Sequence, residues 1–323
     1  MLRNNEYYDF QAVLDNLYAE SCNGRCFRNL MELIRKEENI LLAYRNIKKN
    51  KGSHTKGVDG KTITYLSGLH PEELVTMVRN KLDNYFPQRV RRVEIPKLDG
   101  RTRPLGIPTI KDRLVQQCIL QVLEPVCEAK FFKHSYGFRP LRSAKHAIAR
   151  AYFLAQVAHL HYVVDIDIKG FFDNIDHGKL LKQLWTLGIE DKSLLRVISK
   201  MLKAEIDGIG VPAKGTPQGG ILSPLLANVV LNELDWWIAS QWERHPTRDT
   251  YQPGKKDGSM SSMYYALKKT RLKEVYIVRY ADDFKIFCRH HNHAKRIFAA
   301  VQKWLLERLS LEISPEKSKI TNL

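Results

Sequence analysis

The sequence lacks the features of a secreted or membrane-spanning protein. Its first residues are polar and contain no apolar core, so they do not form a signal peptide. It has no run of about 18 apolar residues, which a transmembrane helix needs. Its five cysteines are scattered and odd in number, which indicates a reducing compartment rather than a disulfide framework. We therefore expect no membrane partner and a cytoplasmic location, bacterial or, in a eukaryote, organellar.

Common phosphate and metal motifs are also missing. No Gly-x4-Gly-Lys-Ser/Thr run occurs, so a phosphate loop of the nucleotide-triphosphatase kind is excluded. Cys22 and Cys26 have no second cysteine pair nearby, which argues against a zinc site. The group His290-His291-Asn292-His293 stands without cysteines or a following metal helix, and we interpret it as surface histidines.

Positive charge, in contrast, is in excess. Lysine and arginine together number 52, against 35 acidic residues, so the 323-residue chain has a formal net charge of +17. Such an excess is typical of proteins with a polyanionic partner, although a merely basic soluble protein remains an alternative. The hydrophobic content of 44% is enough for a substantial core and for two subdomains.

Apolar periodicity predicts helices in much of the chain. The helical patterns cover about residues 1–48, 71–84, 111–124, 144–158, 178–203, 224–242 and 294–309. Pro125 follows the third of these, and Ser143 is placed to cap the fourth. The polar stretch 245–273 predicts an inserted loop or a flexible segment.

Two basic segments precede residue 110. The glycine- and lysine-rich stretch 50–60 predicts a loop, suited to phosphate contact or equally to a plain surface role. Residues 89–108 predict a hairpin with Asp99-Gly100 at its tip, flanked by Lys97, Arg101 and Arg103. A basic hairpin can clamp a triphosphate, but spacing alone favours solvated surface charge.

Acidic residues occur in two strand-like segments. Residues 162–168 alternate so that Asp165 and Asp167 share a face, and residues 275–287 predict a hairpin with Asp282 and Asp283 at its turn. If the two segments are neighbours, their carboxylates converge at one end of a sheet. Such hard oxygen ligands suit Mg²⁺, and two ions about 4 Å apart can run an in-line phosphoryl displacement. An ordinary aspartate turn is the alternative for the second segment.

At this point the sequence resembles a known family. Tyr280-Ala281-Asp282-Asp283 matches the Tyr-x-Asp-Asp signature of reverse transcriptases. Further blocks are similar, in order, to motifs of group II intron-encoded maturase reverse transcriptases: residues 95–108, 135–140, 165–177, 214–228 and 312–319. A retron or a diversity-generating element is the alternative lineage, but the first block and Phe-Asp-Asn-Ile-Asp-His favour group II introns.

The resemblance implies an α+β fold, that of the fingers and palm of a right-hand polymerase. We expect mostly helical fingers and an antiparallel palm sheet packed on helices. Residues 1–160 would form an N-terminal extension and the fingers, and a contribution of residues 178–214 to the fingers is left open. Residues 161–323 would form the palm, with the polar insertion at about 245–273.

The resemblance also implies a metal centre with two Mg²⁺ ions, for which Mn²⁺ can substitute. Asp167 and Asp282 would be the main ligands and Asp283 a supporting one, and the carbonyl of Ile168 would complete the shell. Asp165 shares the face of Asp167 but is not implied as a ligand. These three ligand carboxylates would be the catalytic acids.

Nucleotide contacts follow from the same resemblance. Lys97 and Arg103 would hold the triphosphate, and Gln218 and Gly219 would lie under the nascent base pair. Phe172 would press against the sugar and exclude a 2′-hydroxyl by its volume; its alternative is a core phenylalanine.

Basic residues have two further expected roles. Lys317 or Lys319 would protonate the leaving pyrophosphate as the catalytic general acid, and the sequence does not choose between them. Arg139 would have a structural or template-strand role. The expected RNA-binding residues are Lys48, Lys49, Lys51, Lys56, Arg91 and Arg92.

The function implied is that of an RNA-directed DNA polymerase that also binds its group II intron RNA to assist splicing and mobility. Its partners would be intron RNA, an RNA template, a DNA primer and dNTPs. The alternative is an RNA-binding splicing factor without significant polymerase activity. The sequence stops at Leu323, just after the last palm motif. We therefore expect no thumb, maturase X region or endonuclease, and a homodimer remains an open alternative.

Overall fold

The computed structural model describes residues 4–96, 100, 102–247 and 261–323. The helices are α1 Asn4–Tyr7, α2 Gln11–Cys22, α3 Leu30–Ile34, α4 Glu37–Lys48, α5 Ile63–Ser67, α6 Pro71–Asp83, α7 Ile110–Glu128, α8 Ala144–Tyr152, α9 Phe171–Asn174, α10 His177–Thr186, α11 Lys192–Leu202, α12 Ser223–Gln241, α13 Ser261–Lys268 and α14 His291–Trp304. The strands are β1 Arg91–Pro96, β2 Thr102–Ile107, β3 Tyr162–Ile166, β4 Val275–Tyr280, β5 Asp283–Cys288 and β6 Lys319–Asn322. The predicted α+β class is confirmed.

Contacts divide the chain into two compact units. Unit 1 consists of Met1–Phe131 and Phe172–Val229, and unit 2 of Phe132–Phe171 and Val230–Leu323. Unit 1 is mostly helical and contains the β1–β2 hairpin, and unit 2 contains the four-stranded sheet. The assignment of fingers to residues 1–160 and palm to 161–323 stays a prediction.

The core of unit 1 surrounds α7. This helix is buried on nearly all sides, and it contacts α2, α3, α4 and α6. Polar groups within this core form hydrogen bonds, since the Asn39 amide donates to the Cys118 carbonyl at 3.1 Å and Gln121 donates to Asn39. The helix extends beyond the predicted 111–124, since it runs to Glu128 with Pro125 inside it.

One predicted helix, 178–203, is two helices in the structure. α10 ends at Thr186, and Gly188 turns the chain with a φ of +97°. A Cβ at Gly188 would lie 3.1 Å from the carbonyl oxygen of Arg25, so a side chain would be crowded there as well as strained by the positive φ. The Asp191 carboxylate then caps α11 by accepting from the amides of Ser193 and Leu194.

Unit 2 is built on an antiparallel sheet in the order β4-β5-β3-β6. Both predicted acidic segments are strands of this sheet, since β3 covers the first and the β4–β5 hairpin the second. α14 packs against β3 and β5, and α8 against β4. This arrangement matches the expected antiparallel sheet on helices.

Two local expectations were wrong. Ser143 stands at the N-cap of α8, but its side chain makes no capping hydrogen bond. The segment 245–273 is not a loop throughout, because α13 forms within it and buries Leu267 to 1% exposure. Residues 248–260 lie outside the described residues.

Among the helices of the described ranges, none combines the length and apolar character that a bilayer crossing needs.

Candidate active site

Three predicted ligand acids lie at one end of the sheet of unit 2. Asp167 follows the last residue of β3, Ile166, which pairs with Phe284 of β5. The turn Ala281-Asp282 joins β4 to β5, and Asp283 is the first residue of β5. Because β3 and β5 are antiparallel neighbours, the end of β3 and the start of β5 meet at the same sheet end.

Strand alternation and register decide which side chains share a face. Asp165 pairs with Lys285 and Ile166 with Phe284. Paired residues of antiparallel strands point to the same face, and successive residues point to opposite faces. Asp165, Lys285 and Asp283 therefore share one face. Ile166 and Phe284 point to the other, where they are 1% and 0% exposed. Asp165 and Asp283 thus stand on the face opposite the buried Ile166 and Phe284.

Two lysines balance the acids on this face. Lys285 Nζ lies 2.9 Å from Asp165 Oδ1 and 3.4 Å from Asp283 Oδ1. Lys317 Nζ lies 3.4 Å from Asp167 Oδ2. Burial lowers the pKa of Lys285, but its hydrogen bond to Asp165 and the charge of Asp283 outweigh burial, so the pKa is raised above its ordinary value. Asp165 therefore shares its cation with the predicted ligand Asp283.

The last predicted motif, residues 312–319, holds the chain around Asp167. The amide of Ser314 donates to the carbonyl of Asp167 at 2.7 Å, and the amide of Asp167 donates to Ser318 Oγ at 3.1 Å. These bonds place Lys317 beside the Asp167 carboxylate. Lys319 is the first residue of β6 and pairs with Asp165. Of the two candidate general acids, Lys317 is the one in ion-pair contact with a predicted metal ligand.

Residues that sequence reasoning did not select fix the Tyr280–Asp283 turn. Ala281 has a φ of +58° and is 9% exposed. The buried Arg279 guanidinium donates to the Ala281 carbonyl at 2.8 Å and forms a two-pronged ion pair with Asp235, with Nη2 2.6 Å from Oδ2. Gly137 lies directly behind the turn, because a Cβ there would be 2.2 Å from the Ala281 amide nitrogen. An arginine within the apolar strand 275–280 was the available signal for the ion pair.

The segment around Gly137, residues 134–139, is joined to β4. The amide of Tyr136 donates to the carbonyl of Arg279 at 2.8 Å, and the amide of Arg279 donates to the carbonyl of His134 at 3.0 Å. Arg139 is 7% exposed and donates to the carbonyls of Phe132 and Ser135, each at 2.8 Å. Of the two expected roles of Arg139, the structure supports the structural one.

In unit 1, the loop Gly215–Gly220 packs on the β1–β2 hairpin. The amide of Gly106 donates to the carbonyl of Gln218 at 2.7 Å. Gly219 has a φ of +119°, and a Cβ there would lie 2.6 Å from the Gly106 carbonyl oxygen. The close approach of this loop to the hairpin therefore requires a glycine at position 219. The Gln218 side chain lies 3.3 Å from both carboxylate oxygens of Asp173.

The remaining predicted nucleotide contacts also belong to unit 1. Phe172 is 8% exposed, and its carbonyl accepts from the amide of Thr216 at 2.8 Å. It is therefore tied to the Gly215–Gly220 loop. Arg103 lies in β2, opposite Ile95. Lys97 and Arg101, together with the predicted hairpin residue Asp99, lie outside the described residues.

The predicted RNA-binding residues form an ordered basic surface in unit 1. Residues 51–57 are a structured loop, since the Arg113 guanidinium donates to the carbonyls of Gly52 and Thr55 at 2.7 and 2.6 Å. Arg91 donates to the Lys56 carbonyl at 2.9 Å, which joins the loop to β1. The side chains that remain exposed are those of Lys48, Lys49, Lys51, Lys56 and Arg92.

The acids at the sheet end fit Mg²⁺ by their chemistry, since carboxylate and carbonyl oxygens are the ligands it prefers. Ile168, whose carbonyl is the fourth expected ligand, forms an isolated bridge to Ile313 beside Asp167. Within the described ranges, no three His, Cys, Asp or Glu side chains are arranged to hold a metal ion. Metal binding would therefore require the carboxylates to turn toward a shared ion. In the structure, the positive charge next to the Asp167 carboxylate is the ammonium of Lys317.

Comparisons with known proteins agree with these motifs. The sequence family described as reverse transcriptase (RNA-dependent DNA polymerase) matches residues 95–322. Protein YkfC of Escherichia coli strain K12 is 32% identical over 312 residues, which cover 92% of this chain and 80% of YkfC. Group II intron-encoded protein LtrA of Lactococcus lactis subsp. cremoris is 33% identical over 350 residues, which cover 96% of this chain and 57% of LtrA. The chain thus spans less than two thirds of the length of LtrA.

Among solved structures, one chain of a partial Cas6-RT-Cas1–Cas2 complex matches 85% of this chain and 42% of its own length. That match has 21% sequence identity and a TM-score of 0.44.

Proposed function

Because this chain belongs to the reverse transcriptase family, in its group II intron-encoded branch, we propose that it is an RNA-directed DNA polymerase whose catalytic acids are Asp167, Asp282 and Asp283. The observation that carries the proposal is that β3 ends where the β4–β5 turn lies, at one end of the sheet. Two acidic segments more than a hundred residues apart in the chain therefore lie at the same sheet end.

In the proposed reaction, the 3′-hydroxyl of a DNA primer attacks the α-phosphate of a dNTP paired with an RNA template, and pyrophosphate leaves. Two Mg²⁺ ions, or Mn²⁺ ions in their place, would supply Lewis-acid stabilisation of the developing charge when bound. Asp167, Asp282 and the Ile168 carbonyl would hold the ions, with Asp283 in support. Lys317 would protonate the leaving pyrophosphate, since its ammonium already stands 3.4 Å from Asp167.

The nucleotide-binding roles rest on the resemblance of the individual motifs. We assign the triphosphate to Lys97 and Arg103, and the nascent base pair to Gln218 and Gly219. Phe172 is assigned to exclude the 2′-hydroxyl. Its burial and its backbone bond to Thr216 support a fixed ring position, which discrimination by volume needs.

The same chain is proposed to bind group II intron RNA. The basic surface of unit 1 supports this role. The side chains of Arg113 and Arg91 hold its loop by donating hydrogen bonds to loop carbonyls, while the lysine side chains of the loop stay exposed. An ordered cationic surface binds a phosphate backbone at a lower entropic cost than a flexible one. The second candidate, a splicing factor without significant polymerase activity, is favoured by this surface alone and leaves the acids at the sheet end without a role.

Asp282→Ala tests the two candidates against each other. We expect single-nucleotide incorporation on an RNA template to be abolished and intron RNA affinity to stay within about twofold of wild type. The exposed Asp15→Ala is the matched control and should change neither. Mn²⁺ binding followed by electron paramagnetic resonance gives a second readout, in which Asp282→Ala should lose bound ion. Full incorporation by Asp282→Ala would falsify the catalytic assignment, and a collapse of RNA affinity would show that the two activities share one site.

A further inference from the structure

A groove in unit 1, apart from the proposed active-site residues, combines an exposed aromatic ring with basic side chains. Its volume is about 810 Å³, and its lining includes Phe86, Arg89, Arg196, Lys203 and Val211. The Phe86 ring is 79% exposed, and Val211 is 67% exposed. Exposed apolar side chains that line one groove offer a partner apolar surface to cover.

The structure explains why Phe86 points outward. Its neighbour Tyr85 is buried to 2% exposure, and the Tyr85 hydroxyl donates to Asp112 Oδ1 at 3.0 Å. The Tyr85 carbonyl accepts from Lys200 Nζ at 2.8 Å. Four residues after Phe86, the amide of Val90 donates to the Glu205 carbonyl at 2.7 Å. The main chain is thus anchored on both sides of Phe86, and the ring faces solvent.

The charge of the groove is positive. Arg89, Arg196, Lys200 and Lys203 line it, all exposed, against Asp59 and Glu205. Arg89 lies 3.5 Å from the exposed Asp207, and such an exposed pair is weak. In the part of the chain that the structure describes, no ion pair engages the side chains of Arg196 and Lys203. These two cations can therefore take an anionic ligand without first breaking an internal pair.

We infer that this groove binds an unpaired segment of single-stranded RNA, with one base stacked on Phe86 and the adjoining phosphates held by Arg196 and Lys203. A fixed aromatic platform beside cations is the arrangement by which proteins hold unpaired nucleotides, since every base has a face to stack. The inference rests on the proposed function in that RNA is taken as the partner. It adds a contact distinct from the basic surface at Lys48–Lys56.

The test is the affinity of the full chain for a fluorescent 12-nucleotide uridine RNA, measured by anisotropy over a salt series. Phe86→Ala should weaken binding about fivefold or more. Phe86→Trp should bind as wild type does, and RNA should quench the fluorescence of the introduced indole ring. The double variant Arg196→Gln/Lys203→Gln should lower the slope of log affinity against log salt by about 1.4, the value for two lost phosphate contacts on a single strand.

Matched controls separate the groove from general charge and folding. Lys295→Gln/Arg296→Gln removes two exposed charges from α14 and should leave the salt slope at its wild-type value. Thermal unfolding of Phe86→Ala should match wild type, because the ring is exposed. If wild type binds and the groove variants bind equally well, the inference is overturned. Equal competition by polyglutamate would likewise overturn it, in favour of an acidic protein partner. If wild type binds no RNA, it is the proposed RNA-binding function that fails.

Discussion

Gly137→Ala should disable the proposed active site without touching any acid. A Cβ at this position would lie 2.2 Å from the Ala281 amide nitrogen and 2.9 Å from the Ala281 Cα, both main-chain atoms. The turn or the 135–139 segment must therefore recede by about 0.8 Å to reach even 3.0 Å, the closest approach that Cβ atoms tolerate. A misplacement of about 1 Å near the reacting groups can cost roughly 10²-fold in rate. Overpacking of this kind also costs about 1–3 kcal/mol of stability.

Single-nucleotide incorporation under single-turnover conditions measures this effect, with thermal unfolding to report the stability cost. We expect a loss of about 10²-fold in Gly137→Ala while the protein remains folded. Gly68→Ala is the matched control, because a Cβ there meets nothing closer than 3.7 Å and its φ is not positive. Incorporation by Gly137→Ala within about threefold of wild type would refute the reasoning that Gly137 sets the position of the acidic turn.

The other predictions concern the stability of unit 2. Asp235→Asn leaves the buried Arg279 without its counter-charge and should destabilise the fold by about 3–5 kcal/mol in chemical denaturation. Acid should also destabilise the fold. Burial raises the pKa of the Glu243 carboxyl group. His134 and Lys133 lower it by more, and the pKa is about 2; Lys133 Nζ lies 2.8 Å from Glu243 Oε1. Because this pKa is lower in the folded protein than the unfolded value of 4.5, the ionised Glu243 stabilises the fold at pH values above 4.5, by on the order of 3 kcal/mol. This stabilisation is lost as the pH falls toward 2. Burial lowers the pKa of His134 as well, so protonation of the unfolded chain below 6.5 acts in the same direction.

Each of these predictions has a control. Glu307→Gln breaks an exposed pair with Lys303 at 3.7 Å and should cost less than about 0.5 kcal/mol, unlike Asp235→Asn. Glu243→Gln should flatten the loss of stability between pH 4.5 and 2. An acid transition that is unchanged in Glu243→Gln would assign that transition to other groups.

Much of the candidate site was predictable because its signals are local. The alternation of Tyr162–Ile166 and the apolar segments on either side of Ala281 predict three strands, and all three formed. The limits of helices were less predictable, because the predicted helix 178–203 is divided in the structure. At the break after α10, Gly188 has a φ of +97° and lies against the carbonyl of Arg25, a residue far away in the chain.

The sequence by itself determined the two acidic strands, the basic excess and the order of motifs, because strand periodicity and charge are properties of neighbouring residues. Only the tertiary structure decided which lysine faces which acid, since strand register sets Lys285 opposite Asp165 and main-chain bonds bring Lys317 to Asp167. It also decided the roles of Gly137 and Phe86. One touches the acidic turn and the other touches solvent, and neither fact is visible until distant segments pack together.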